Sequence, residues 1–178
     1  MNKIIYLTGF MGSGKSTIGP ILANTIGWEF FDLDQVIEQK SGMKVTEIFE
    51  KEGEEYFREF ERNTLSELTN HDKAIIALGG GTVTDQKNID LIKKSGKLIY
   101  LKVSPESAYL RLRFKRDRPV LTRDGTVNLG KDEFINKINR LLEFRKKYYE
   151  QADITIDTDN STIGKTVDKI AKIIQYEI

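Results

Sequence analysis

The chain has 178 residues, 39% of them hydrophobic and 10% aromatic, which is enough for one compact domain with a buried core. Its 28 Lys and Arg residues balance 27 Asp and Glu residues, so the overall positive charge typical of nucleic-acid-binding proteins is absent. The absence of cysteine excludes disulfides, thiolate metal sites and cysteine nucleophiles.

Short apolar runs alternate with longer segments of helical periodicity. Residues 3–8, 74–78 and 98–103 are predicted to form buried strands, and residues 28–32 and 154–157 are weaker strand candidates. Apolar strands separated by helices are typical of a parallel sheet covered on both faces. We therefore expect an open α/β sandwich, in which ligands bind beyond the carboxyl ends of the strands.

The sequence also indicates where some helices begin. Ser104 before Pro105, and Thr162, are candidate N-terminal caps, and a long helix is expected from about Lys131.

No apolar run approaches the roughly 20 residues of a membrane span, and residues 4–7 are too few for a signal-peptide core. We expect one cytoplasmic domain over residues 1–178, monomeric and without a membrane or nucleic-acid partner.

A glycine-rich motif follows the first predicted strand. Residues 9–16, GFMGSGKS, match the pattern G-x-x-x-x-G-K-[ST] at the start of a predicted helix. Glycines let backbone N–H groups turn toward phosphate oxygens, and the helix N-terminus adds a positive dipole end. We expect Lys15 to reach the β- and γ-phosphates of ATP and Ser16 to bind Mg²⁺. The predicted nucleotide-binding residues are Gly12, Ser13, Gly14, Lys15, Ser16 and Thr17.

Two aspartates close the second predicted strand. Alternate residues on a strand point the same way, so Asp32 and Asp34 are both expected to face the cleft. Asp32 is suited to hold Mg²⁺, because hard cations prefer oxygen ligands, and Asp34 could accept a hydrogen bond or a proton from a substrate hydroxyl. The alternative is that one or both cap the following helix.

Residues 54–69 predict a helix with one apolar face, on which Glu61 lies between Phe57 and Leu65. A buried carboxylate is costly unless it is paired, and Arg58 stands three residues earlier, at contact spacing. We infer that Glu61 holds Arg58, which leaves the rest of the guanidinium free to bind a carboxylate ligand. On spacing alone, an ordinary exposed ion pair is the commoner alternative.

Three consecutive glycines, Gly79, Gly80 and Gly81, follow the third predicted strand. Their entropic cost makes sense where the backbone must pass close to a ligand, although a flexible turn is the alternative. Their position at the carboxyl end of a strand favours the ligand. This strand does not end in an acidic residue, which supports Asp32 as the carboxylate on the metal side.

Two basic segments follow. The first is predicted to be a helix end and a mobile loop that delivers cations to the phosphates, although a solvated face or an RNA-binding patch is the alternative. Its basic residues are Arg111, Arg113, Lys115, Arg116, Arg118 and Arg123. The second contains Arg145, for which a plain exposed basic face is the alternative.

The combined pattern resembles the shikimate kinase family over residues 4–157. The matching elements are the motif at 9–16, Asp32-x-Asp34, Phe57-Arg58-x-x-Glu61, the triple glycine, RPVL at 118–121, and Arg145 ahead of Tyr148. The resemblance implies a three-layer α/β sandwich of the P-loop small-molecule kinase type, with a five-stranded parallel sheet in the order 2-3-1-4-5. It also implies a shikimate-binding helical segment at about 34–61 and a lid at about 115–124.

The resemblance further implies Mg²⁺-dependent phosphorylation of the 3-hydroxyl of shikimate, with ATP as co-substrate. Lys15, Asp34 and Arg118 would be catalytic, Arg111 and Arg118 would bind the nucleotide, with Arg111 packed on adenine, and Ser16 and Asp32 would serve Mg²⁺. Shikimate would contact Asp34, Arg58, Gly79, Gly80, Gly81 and Arg145, with Glu61 orienting Arg58.

Three alternatives stay open from the residues themselves. A kinase for another small hydroxy acid, such as gluconate, would share the P-loop but would not require the triple glycine together with Arg58 and Glu61. A nucleotide-binding module without catalysis should have lost one of four residues, all of which are present: Lys15, Ser16, Asp34 and Arg58. An RNA-binding domain is disfavoured by the charge balance.

Overall fold

A computed structural model describes residues 3–113 and 130–177 of the chain. The predicted lid at about 115–124, with Arg118, lies outside the described residues. The described part contains five strands, all parallel, in the order β2-β3-β1-β4-β5, which confirms the predicted fold class. The strands are β1 (Ile4–Thr8), β2 (Glu29–Asp32), β3 (Ala74–Ala77), β4 (Lys97–Lys102) and β5 (Ile154–Asp157).

Helices cover both faces of the sheet. In chain order they are α1 (Lys15–Ile26), α2 (Leu33–Ser41), α3 (Val45–Lys51), α4 (Gly53–Leu68), α5 (Gln86–Ser95), α6 (Pro105–Leu112), α7 (Lys131–Tyr149) and α8 (Ile163–Glu177), with a 3₁₀ turn at Thr82–Thr84. Within the described ranges, no helix is both long enough and apolar enough to span a bilayer.

The alternation of side chains along the strands builds two cores. Ile4 and Tyr6 of β1 belong to a cluster that includes residues of α2, α4 and α5, whereas Ile5 and Leu7 pack with residues of α1 and α8. The central strand β1 is therefore apolar on both faces, as expected for a parallel sheet between two helical layers.

The predicted helix caps are present. The Ser104 hydroxyl accepts a hydrogen bond from the Ser107 N–H at 3.2 Å, with Pro105 as the first residue of α6. Thr162 accepts one from the Lys165 N–H at 3.4 Å at the start of α8. Such caps satisfy N–H groups that have no partner inside the helix.

The expectation that Asp32 and Asp34 share a strand is wrong. Strand β2 ends at Asp32, whose carboxylate accepts a hydrogen bond from the Gln35 N–H at 3.4 Å and so caps α2. Asp34 lies in the first turn of that helix. Because Asp32 caps the helix, α2 begins at Leu33. The direction of the Asp34 side chain toward the cavity is therefore set by the first helical turn and not by the strand.

The sheet places the predicted motifs at one edge. Because all the strands are parallel, the P-loop after β1, Asp32 at the end of β2 and the triple glycine after β3 lie together at their carboxyl ends. A third apolar cluster, which includes Phe10, Leu112 and Ile138, packs α6 and α7 beside this edge.

Candidate active site

The P-loop between β1 and α1 forms an anion cradle. Gly14 caps α1 with φ at 103°, a left-handed conformation that favours glycine, and the first turn of α1 carries no acidic residue. The Lys15 Nζ donates to the carbonyls of Gly9 at 2.6 Å and Phe10 at 3.4 Å. The ammonium group is therefore held at the loop, and together with the helix N-terminus it fits a polyphosphate.

Two oxygen groups beside the cradle suit a magnesium ion. The Ser16 hydroxyl donates to Asp32 Oδ2 at 3.2 Å, joining the start of α1 to the end of β2. Among the described residues there is no group of three or more His, Cys, Asp or Glu side chains that could hold a metal ion by themselves. A hydroxyl and one carboxylate fit Mg²⁺, which commonly keeps several waters and binds substrate phosphates.

Asp34 is half-buried on the cavity wall. Burial, reinforced by the negative charges of Asp32 and Glu61, raises the pKa of the Asp34 carboxyl to about 6. The Lys15 ammonium opposes this shift but does not cancel it. A carboxyl group with this pKa can accept a proton near neutral pH.

Glu61 is buried, with 1% of its surface exposed, inside the apolar face of α4. Its Oε2 accepts a hydrogen bond from Arg58 Nη1 at 2.9 Å, and its Oε1 accepts one from the Thr82 hydroxyl at 2.7 Å. The Arg58 guanidinium also lies 5.2 Å from the centre of the Phe57 ring. The alternative of an exposed ion pair is therefore wrong, because Glu61 is inaccessible to solvent.

The triple glycine makes room for these side chains. A Cβ atom on Gly79 would lie 2.8 Å from Asp34 Oδ1, one on Gly80 would lie 3.1 Å from Arg145 Nη1, and one on Gly81 would lie 2.8 Å from Arg58 Nη2. Each glycine thus stands against a different predicted substrate-binding side chain. The flexible-turn alternative does not account for this close approach.

Arg145 reaches the same place from α7. Its Nη1 is buried without a hydrogen-bond partner in the part of the chain that the structure describes, and its guanidinium lies 5.9 Å from the centre of the Phe10 ring. The exposed-face alternative is wrong for this residue. One turn later, the Tyr149 hydroxyl donates to the Gly80 carbonyl at 3.3 Å.

These groups line one cavity of about 1130 Å³. This volume lies just above the roughly 300–1,000 Å³ that is typical of small-molecule sites. The P-loop, Ser16 and Arg111 lie among its walls, as do Asp34, Arg58, Glu61, the triple glycine and Arg145. A phosphate-binding part and a part with two arginines therefore meet at Asp34.

Comparison with known proteins agrees with this geometry. The family described as shikimate kinase matches residues 11–175. The shikimate kinase of Chlorobium limicola is 45% identical over 173 residues, covering 97% of this chain and 87% of that protein. The shikimate kinase of Chlorobaculum parvum is 42% identical over 177 residues, covering 99% and 95%.

The chain belongs to the shikimate kinase family. Two solved members have the same fold. Shikimate kinase from Acinetobacter baumannii, in complex with shikimate, is 36% identical with a TM-score of 0.85, covering 98% of this chain and 94% of that one. The enzyme from Bacteroides thetaiotaomicron is 33% identical with a TM-score of 0.86, covering 97% and 98%.

Arg111 is placed differently from a simple adenine-stacking side chain. Its guanidinium donates to the Gly12 carbonyl at 3.0 Å and to the Thr158 carbonyl at 2.7 Å, so it joins the P-loop to the segment after β5. It lines the nucleotide end of the cavity. Contact with adenine stays a prediction.

Sequence reasoning did not assign roles to Thr82 and Tyr149. Thr82 follows the triple glycine, and its position carries no periodic signal. Tyr149 lies four residues after Arg145 on α7, and this helical spacing could have indicated that both face the site. The family resemblance singled out Tyr148, whereas the fully buried side chain that contacts the Gly80 carbonyl is Tyr149.

The space at Gly81 leads to a first prediction. In Gly81→Ala the added methyl should displace the flexible end of Arg58 rather than prevent folding, because its nearest neighbours are guanidinium atoms. We expect the KM for shikimate to rise by about tenfold or more, with the KM for ATP little changed. Steady-state kinetics test this. Gly164→Ala, where nothing lies within 4 Å of the added Cβ, is the control.

A second prediction follows from the pKa of Asp34. Because the folded-state pKa lies near 6 and the usual value is 3.8, ionising Asp34 lowers stability as pH rises from about 4 to 6, and the loss is complete above 6. Asp34→Asn should therefore increase the free energy of unfolding at pH 8, by up to about 3 kcal/mol, but not at pH 4. Denaturant titrations measure this. Asp168→Asn, at an exposed site on α8, should show no such difference.

Proposed function

We infer that the chain transfers the γ-phosphoryl group of ATP to the 3-hydroxyl of shikimate in a Mg²⁺-dependent reaction. It is a phosphotransferase with an alcohol group as acceptor. The observation that carries this conclusion is the meeting of the P-loop with Asp34, Arg58 and Arg145 in one cavity, in a chain of the shikimate kinase family.

On the nucleotide side, the P-loop N–H groups and the N-terminus of α1 bind the phosphates. Lys15 stabilises the charge on the transferring group, and Ser16 and Asp32 hold Mg²⁺. When bound, Mg²⁺ neutralises phosphate charge and helps to orient the phosphates. We propose that Arg118 adds a second cation and that residues 115–124 close as a lid, as the family resemblance implies.

On the acceptor side, two arginines receive the carboxylate of shikimate. Glu61 holds one end of the Arg58 guanidinium, while the buried Nη1 of Arg145, which has no hydrogen-bond partner among the described residues, needs an acceptor. Two guanidinium groups bound to one carboxylate fix the orientation of the shikimate ring and also strengthen its binding. The segment at about 34–61, from α2 into α4, then forms the acceptor-binding wall together with the triple glycine.

Asp34 lies between the two parts of the cavity. Its raised pKa suits a group that accepts the proton of the 3-hydroxyl as the oxygen attacks phosphorus. Positioning and charge stabilisation supply most of the remaining catalysis in phosphoryl transfer. We propose that the enzyme acts as a cytoplasmic monomer. The absence of a nucleic-acid partner, which we also propose, is supported by its near-neutral net charge.

The acceptor is tested by Mg²⁺-dependent ADP formation from ATP with shikimate, with gluconate and without acceptor. We expect turnover with shikimate alone. Arg58→Ala should raise the KM for shikimate by about a hundredfold, because a charge-assisted pair is lost, and should leave the KM for ATP unchanged. Lys15→Ala should instead lower kcat. Equal turnover of gluconate, or an unchanged KM in Arg58→Ala, would refute the acceptor assignment.

The role of Asp34 is tested by Asp34→Asn. We expect kcat to fall by about 100-fold or more, since general base catalysis contributes this much, while the Kd of shikimate rises far less. In the parent enzyme, kcat/KM for shikimate should fall as pH decreases through about 6, and this limb should disappear in the variant. A variant with parental kcat and normal shikimate binding would show that Asp34 is not the proton acceptor.

A further inference from the structure

The Thr82 hydroxyl is a fully buried polar group next to the acceptor site. Thr82 begins the 3₁₀ turn after the triple glycine, has 0% of its surface exposed, and donates to Glu61 Oε1 at 2.7 Å. The opposite oxygen of the same carboxylate accepts from Arg58. Glu61 is therefore held from two sides, once by the side chain it orients and once by a hydroxyl on a different element.

The backbone of Thr82 is itself anchored. Its N–H donates to the Gly79 carbonyl at 3.3 Å, and its carbonyl accepts a hydrogen bond from Asn88 Nδ2 at 3.0 Å. Asn88 lies on α5 and also has 0% of its surface exposed. A continuous chain of hydrogen bonds thus leads from α5 through Thr82 and Glu61 to Arg58.

This anchoring matters because Arg58 has a second possible partner. Its Nη2 lies 3.5 Å from Oε1 of Glu54, one turn earlier on α4, and the Glu54 side chain is 71% exposed. A guanidinium drawn toward Glu54 would point toward solvent rather than into the cavity. Without Thr82, the Glu61 carboxylate could rotate and would leave one buried oxygen without its partner.

We propose that Thr82 is a positioning residue for acceptor binding. Its hydroxyl fixes the plane of the Glu61 carboxylate, and through it the Arg58 guanidinium, in the orientation that receives the carboxylate of the acceptor. The proposal rests on the assignment of Arg58 to that carboxylate. It adds a requirement for a hydroxyl group at position 82, which touches neither substrate.

The test compares Thr82→Val, which keeps the shape but removes the hydroxyl, with Thr82→Ser, which keeps the hydroxyl. Thr82→Val should raise the KM and Kd for shikimate by about tenfold with the KM for ATP unchanged, and Thr82→Ser should stay within about twofold of the parent. Thr64 is also a buried threonine but lies on α4, and Thr64→Val controls for the loss of a threonine hydroxyl from the interior. If Thr82→Val fails to fold, Thr82→Ala against Thr82→Ser makes the same comparison.

A second arm asks whether Thr82 acts through Glu61. In a Glu61→Gln background, the effect of Thr82→Val on the KM for shikimate should shrink to about twofold or less, because the two groups act in series. Full additivity, or equal changes in the KM values for shikimate and ATP, would overturn the proposal. If Arg58→Ala raises the KM for shikimate and Thr82→Val does not, only the positioning role of Thr82 is refuted. If neither variant raises this KM, the binding of the acceptor carboxylate by Arg58 is refuted, and the role of Thr82 is refuted with it.

Discussion

Glu61 carries a negative charge inside the apolar face of α4, where only hydrogen-bonded and ionic partners can offset the loss of water. Both oxygens have such partners, Arg58 on one side and Thr82 on the other. The pairing holds Arg58 beside Gly81, where a methyl group would collide with its guanidinium. The buried charge of Glu61 thus fixes the direction of Arg58, and the position of Arg58 in turn requires a residue without a side chain at position 81.

The parallel sheet explains why distant motifs form one site. All five strands end at the same edge, so the P-loop, Asp32 and the triple glycine lie side by side although β2 and β3 are far apart in sequence. Helix α7 then adds Arg145 from outside the sheet, and Tyr149 on the same helix holds the Gly80 carbonyl. The triple-glycine loop is therefore fixed by the packing of α7 as well as by the strand it follows.

The chain has a formal net charge of +1, and both positive and negative side chains line the cavity. Cations line two parts of the cavity, Lys15 at the P-loop and Arg58 and Arg145 beside the triple glycine. Asp34 lies on the cavity wall, and its burial, reinforced by the negative charges of Asp32 and Glu61, is why its pKa rises rather than falls. The carboxyl group that we expect to lower stability above pH 6 is thus the one that we propose as the proton acceptor.

The local pattern of the sequence determined the strands and the P-loop and placed Glu61 on the apolar face of a helix, because motif spacing and hydrophobic periodicity depend only on neighbouring residues. It predicted the Arg58 pair from a three-residue spacing but could not exclude an exposed pair. Only the tertiary structure decided that Asp32 caps α2, that Thr82 binds Glu61 21 residues away, and that Tyr149 binds Gly80 69 residues away. Such contacts depend on how elements pack against one another, and no periodicity within one segment records that packing.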